Sequence, residues 1–181
     1  NPGQLTASVF NDDNGTLGLL VALPGCGQDA SLFAKNGGFE QLALAKNLML
    51  LNIQQHQSNN IQSCFNWFSE EDNMLDRGEL ASVTNFIASV KNDGPVYLVG
   101  LSAGGAMASA VMLQQPHLFK GVVIIAGIAF PCANNVVQAI SCMKNGPNEQ
   151  GSQLAKKVLS IQQQHRNTTN WPDFLIISGL K

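Results

Sequence analysis

The pattern that most limits how this chain can fold is a set of short, nearly unbroken apolar runs, each separated from the next by helix-patterned chain. TLGLLVAL (Thr16 to Leu23), LMLLNI (Leu48 to Ile53), VYLVG (Val96 to Gly100), GVVIIAG (Gly121 to Gly127) and FLIIS (Phe174 to Ser178) do not alternate apolar with polar residues. A strand of that composition is buried on both faces. Helical segments are predicted at 29–46, broken by Gly37-Gly38, and at 79–91, where Leu80, Val83, Ile87 and Val90 fall at helical spacing. Further helices are predicted over Ala103 to Gln114, 133–143 and 150–165. Buried strands alternating with helices define an α/β domain, a parallel sheet with helices on both faces. LTASVF, ahead of the first run, reads as an edge strand. The turn cluster Asn11-Asp12-Asp13-Asn14-Gly15 predicts a hairpin between that edge strand and the first buried one.

Composition narrows the function classes. The 181 residues suit one domain, 1–181, with no linker or repeat. Charged residues make up 12%, with ten Lys plus Arg against 12 Asp plus Glu. With no basic cluster to neutralise phosphates, no nucleic-acid partner is expected. The apolar runs fall far short of the ~18 residues of a membrane span. Four cysteines stand at 26, 64, 132 and 142, without a C-x-x-C. His56, His117 and His165 have no metal-ligand spacing, so no metal site and no cofactor are expected. The cysteines are free thiols or form up to two disulfides, and four cysteines allow three full pairings. A low-charge, amide-rich surface favours an exported protein, secreted or periplasmic, with bridges. The polar stretch Gln54 to Gly78, carrying Cys64, Phe65, Trp67 and Phe68, is long enough to be functional rather than a mere connection.

The sharpest local feature is Gly100-Leu101-Ser102-Ala103-Gly104, between a strand pattern and a helix pattern. This is the context in which G-x-S-x-G forms a nucleophile elbow. A tight strand-to-helix turn lifts the serine hydroxyl above the sheet and needs small neighbours, here Gly100, Ala103, Gly104 and Gly105. The helix N-terminus behind it offers unpaired N–H groups to a developing oxyanion. The alternative is a glycine-rich turn in which Ser102 only caps the helix. Leu23-Pro24-Gly25-Cys26-Gly27-Gln28 follows an early buried strand, where hydrolases of this type place a second oxyanion donor. The two donors are assigned to the backbone N–H groups of Cys26 and Ala103. Its alternative is a Pro-Gly turn that merely ends the strand.

LPGCGQD, CFNWF (Cys64 to Phe68), GLSAGGAM (Gly100 to Met107), and Ala126-Gly127 with a later Cys132 together resemble the polyhydroxybutyrate depolymerase family. That family is related to secreted feruloyl and acetylxylan esterases. The resemblance runs from about Thr16 to Gly179 and implies an α/β-hydrolase. It implies Ser102 as nucleophile, Cys26 and Ala103 as oxyanion donors, and Trp67 as an aromatic wall for substrate. A plain core role for Trp67 is the alternative. The family commonly has His-Gly-Cys where this chain has Pro24-Gly25-Cys26, so the loop can be set differently while the Cys26 N–H survives. Cys26 and Cys64 both follow strand C-terminal ends, so a bridge between them is sterically reasonable, with Cys132–Cys142 as the second.

A serine hydrolase of this type also needs an acid and a histidine after the nucleophile. After Ser102 the chain offers only Glu149, Asp173, His117 and His165; none is well placed, and Asp173, His117 and His165 suit the wrong end of the sheet. His56 lies on the right side but precedes the serine. In the resembling family the acid sits just after the last strand seen here. The acid and the histidine are therefore expected beyond Lys181, the catalytic domain being incomplete and the 181 residues by themselves nearly inactive. A natural product of 19.3 kDa would contradict this. The expected reaction is ester hydrolysis through an acyl-enzyme, on a hydroxyalkanoate polymer or oligomer. Alternatives are a feruloyl or acetylxylan esterase and a non-catalytic binding domain on a hydrolase scaffold.

Overall fold

The computed structural model describes residues 1–12, 16–90, 93–164 and 170–179. Six strands form one sheet: β1 (Thr6–Phe10), β2 (Gly18–Leu23), β3 (Leu48–Gln54), β4 (Val96–Leu101), β5 (Gly121–Ile125) and β6 (Asp173–Ile177). Their spatial order is β1-β3-β2-β4-β5-β6. β1 is antiparallel to β3, and every other pairing is parallel.

The apolar runs are strands as expected, and β2 is buried at all six positions. The predicted hairpin does not form. β1 reverses direction relative to β2 but pairs with β3, Thr6 opposite Gln54 and Phe10 opposite Leu50. The physical reason is burial. β2 has no polar face to leave at an edge, so it takes the centre between β3 and β4. β1 is largely exposed and suits the rim. Turn residues dictate reversal, not the partner; Asp13 to Gly15 of that turn lie outside the described residues. β6, also read as buried, is exposed at all five positions and pairs only with β5 in the sheet.

Helices α1 (Ala30–Asn36) and α2 (Phe39–Lys46) cover one face over Leu20, Leu48, Leu50 and Val99. α3 (Gly78–Val90) and α4 (Ala103–Gln114) cover the other, over Val21, Leu51, Ile53 and Leu98. α4 is buried at nearly every position, and its AGGAMASA sequence lets its backbone approach the sheet closely. α5 (Val136–Asn145) and α6 (Gly151–Gln164) follow β5. All parallel strands point their C-terminal ends toward the loops at 24–29, 55–77, 102 and 126–135, so those loops share one rim.

Candidate active site

Ser102 occupies the turn from β4 into α4 with φ 54° and ψ −116°. Such a backbone is unfavourable for a residue with a Cβ, of order 1–3 kcal/mol, and it persists only where the surroundings enforce it. Here they do. The Ser102 N–H donates to the Ile125 carbonyl at 2.8 Å, and its carbonyl accepts the Ala106 N–H at 2.9 Å. A side chain at Gly100 would strike the Gly104 backbone, and one at Gly104 would strike the Leu23 and Pro24 carbonyl oxygens. The elbow is therefore wedged against the end of β2. The capping alternative fails: the Ser102 side chain makes no cap hydrogen bond, and the residue is exposed at the rim.

The loop after β2 folds beside it. A Cβ built on Gly25 would stand 3.4 Å from the Ser102 Cβ. The loop is pinned from several directions. The Gly25 N–H donates to Gln28 Oε1 at 2.7 Å, and the Gln28 N–H to the Gly25 carbonyl at 3.2 Å. Gln54, at the end of β3, donates from Nε2 to the Gln28 carbonyl at 3.2 Å and accepts the Ala30 N–H at 2.7 Å. Cys26 is disulfide-bonded to Cys64, and Cys132 to Cys142, the pairing expected from the placement of Cys26 and Cys64 after strand ends. Neither the Cys26 nor the Ala103 N–H has a hydrogen-bond partner among the described residues. Ala103 opens α4, so its N–H is one of the donors a helix start leaves unpaired, at the positive end of the helix dipole.

The expected wall residue Trp67 is 6% exposed. It packs in the main core, edge-to-face on Phe68 at 5.5 Å between ring centres. Its carbonyl accepts from Asn73 Nδ2 at 2.6 Å. Glu149 is engaged in an ion pair with Lys157 at 2.5 Å. His117 is exposed in the 3-10 turn before β5, and Asp173 begins β6 at its N-terminal end. Neither reaches the rim that carries Ser102. His56 follows β3 on the correct side, but its Nε2 is engaged with Thr6 Oγ1 at 2.7 Å. His165 lies outside the described residues.

One group at this end of the molecule gave no signal in the sequence. Glu79, second residue of α3, is fully buried. Its carboxylate accepts four N–H groups: Gln55 Nε2 at 2.6 Å, Asn59 Nδ2 at 3.0 Å, Asn66 Nδ2 at 2.8 Å and the Asn66 backbone N–H at 2.7 Å. Burial pushes its pKa up to about 7; repulsion from Asp72 adds to this and the hydrogen bonds from Asn66 and Gln55 oppose it. Burial also raises Asp72. An acid at a helix start is ordinary in sequence, and only the loop folding back over it makes it exceptional.

A mostly parallel sheet, a strained serine between strand and helix, and an adjoining loop with free amides define an α/β-hydrolase. The sequence profile of the esterase PHB depolymerase family matches residues 13–165, and the chain belongs to that family. It is 32% identical over 153 residues to poly(3-hydroxyalkanoate) depolymerase C of Paucimonas lemoignei, covering 81% of this chain. The chain spans 37% of that enzyme's length. Among solved structures it is similar to an acetyl xylan esterase from Aspergillus awamori, with TM-score 0.73 and 16% identity over 97% of this chain and 67% of that one. A poly(3-hydroxybutyrate) depolymerase from Bordetella parapertussis gives TM-score 0.57 and 16% identity over 97% of this chain and 78% of that one. At these identities the structures speak for the fold.

Proposed function

We propose that the protein is a serine carboxylesterase cleaving polyhydroxybutyrate-type polymer or oligomer esters through an acyl-enzyme. The observation that carries this is the Ser102 turn: a strained, exposed serine beside two unpartnered amides, those of Cys26 and Ala103. Ser102 Oγ attacks the ester carbonyl, and the carbonyl oxygen gains negative charge opposite the two N–H groups. The C–O bond breaks, the alcohol leaves, and water releases the acid from Ser102. The general base and its acid partner are supplied outside residues 1–181 in this reading. Trp67, packed in the main core, anchors the polar stretch after β3 in this reading rather than lining the substrate. Two disulfides and the depolymerase relative support an extracellular or periplasmic setting.

A feruloyl or acetylxylan esterase is the second reading, favoured by the fold similarity to the xylan esterase. Turnover on hydroxybutyrate oligomers, methyl ferulate and acetylated xylan separates the two. The test of the nucleophile is fluorophosphonate labelling of the intact natural protein and its Ser102→Ala variant. Labelling that disappears in the variant supports the reading. A protein that takes up no probe is a binding domain on a hydrolase scaffold, and persistent labelling in the variant removes Ser102.

A further inference from the structure

The web around Glu79 does more than begin a helix. A buried carboxylate with only neutral partners is costly, and nothing about α3 as a helix requires one. No Lys or Arg among the described residues bonds to it. Asp72, on the 3-10 turn Glu71–Asn73, is the charged group that acts on it, and it repels. Arg77 pairs with Asp76, the His56 ring faces Thr6, and the segment before β1 contributes the Gly3 carbonyl to Asn59.

The web ends on Cys64. Gln55 Nε2, besides holding Glu79, donates to the Cys64 carbonyl at 3.0 Å. The Cys64 N–H donates to Asn60 Oδ1 at 3.3 Å, and Asn60 Nδ2 in turn donates to Asn66 Oδ1 at 2.8 Å. The backbone of Cys64 is thus held on both sides by residues tied to Glu79. Its sulfur is bonded to Cys26, and the neighbouring Ser63 carbonyl accepts the Gly27 N–H at 3.4 Å.

We propose that Glu79 is a positioning residue for the esterase: through Gln55, Asn66 and Asn60 it fixes Cys64, and through the Cys26–Cys64 bridge it aims the Cys26 N–H at the oxyanion. This rests on the reading of Cys26 as an oxyanion donor. It assigns a task to the amide-rich stretch after β3, whose side chains otherwise touch no reacting atom. Small displacements of such a donor are costly to the reaction and leave ground-state binding nearly untouched.

The test uses the intact natural protein, with Glu79→Gln as the main variant. Glutamine keeps the shape but presents an NH₂ group where an oxygen accepted an N–H. The expected result on p-nitrophenyl butyrate is a fall in kcat of about tenfold per fluorophosphonate-titrated site, with KM within about twofold. The Cys26→Ser/Cys64→Ser double variant falls likewise, and adding Glu79→Gln to it causes no further fall. Equal losses from Glu79→Gln with and without the bridge would overturn the proposal, since the bridge would then not be the route. Should Glu79→Gln not fold, Gln55→Ala with Asn60→Ala removes both side-chain holds on the Cys64 backbone, and an unchanged kcat there is equally fatal. Amide hydrogen exchange at Gly27 and Gln28 reads the coupling without any activity. Faster exchange in either variant supports the coupling of Glu79 to the Cys26 loop even if Ser102 takes no label, and unchanged exchange overturns it.

Discussion

At residues 100–105 the chain is held by its own backbone: glycines allow contact too close for any side chain, and the Ser102 N–H is bonded to β5. At residues 55–66 it is held by side chains: four amide-bearing residues, Gln55, Asn59, Asn60 and Asn66, gather on or about one buried carboxylate. Both regions flank the loop that carries Cys26. The first tolerates no added atoms, because its neighbours are backbone and cannot move aside. The second tolerates changes of bulk at its edge but not of hydrogen-bond polarity at its centre. Rigidity near one site is thus obtained by two independent means, and they should fail in different ways.

The largest effect is expected at the elbow. Ser102→Ala should lower kcat of the intact protein by about 10⁶-fold, measured on p-nitrophenyl butyrate. Ser102→Gly should be as inactive yet more stable than wild type by about 1 kcal/mol, because glycine relieves the backbone strain at φ 54°. A lower melting temperature for Ser102→Gly would deny that strain. Gly104→Val comes next. Its side chain meets the Leu23 and Pro24 carbonyls, so it should cost about 3 kcal/mol or more, read by urea unfolding.

The second region should lose stability by comparable amounts while keeping the nucleophile. Breaking the Cys26–Cys64 bridge, which spans a sequence separation of 38, should cost about 4 kcal/mol by the chain-entropy relation. Glu79 should make stability depend on pH. Its folded value is raised above the ordinary 4.5 to about 7, so its stabilising contribution is complete below pH 4.5. That contribution is lost as pH rises through about 7, by at most about 3 kcal/mol. The difference between wild type and Glu79→Gln in urea midpoints at pH 5 and pH 8 measures it. A wild type whose stability relative to the variant rises over that range would contradict the assignment. Smallest of all is His117→Ala, exposed at the opposite end of the sheet, which should leave activity within about twofold.

These two regions also differ in how far they can be read from residues alone. The serine turn is local: five consecutive residues, a strand pattern before and a helix pattern after, specify its conformation. The placement of the Cys26 loop beside Ser102 is expected from its position after an early buried strand, and the structure brings the two segments together. Glu79 was not legible. Its partners come from residues 55–66, and no periodicity marks an acid that a loop will bury. Trp67 shows the same limit, since an aromatic in a polar stretch reads equally as wall or core until its burial is known.

What the sequence by itself determined is the set of elements, the parallel sheet and the serine turn, because apolar runs, glycines and helix periods act between near neighbours. What only the tertiary structure decided is which strand β1 pairs with, where Trp67 packs, and that Glu79 lies dry beneath an amide web. Those outcomes depend on competition for burial among segments distant in the chain. The free energy of burying a group is set by everything that surrounds it, and not by its neighbours in sequence.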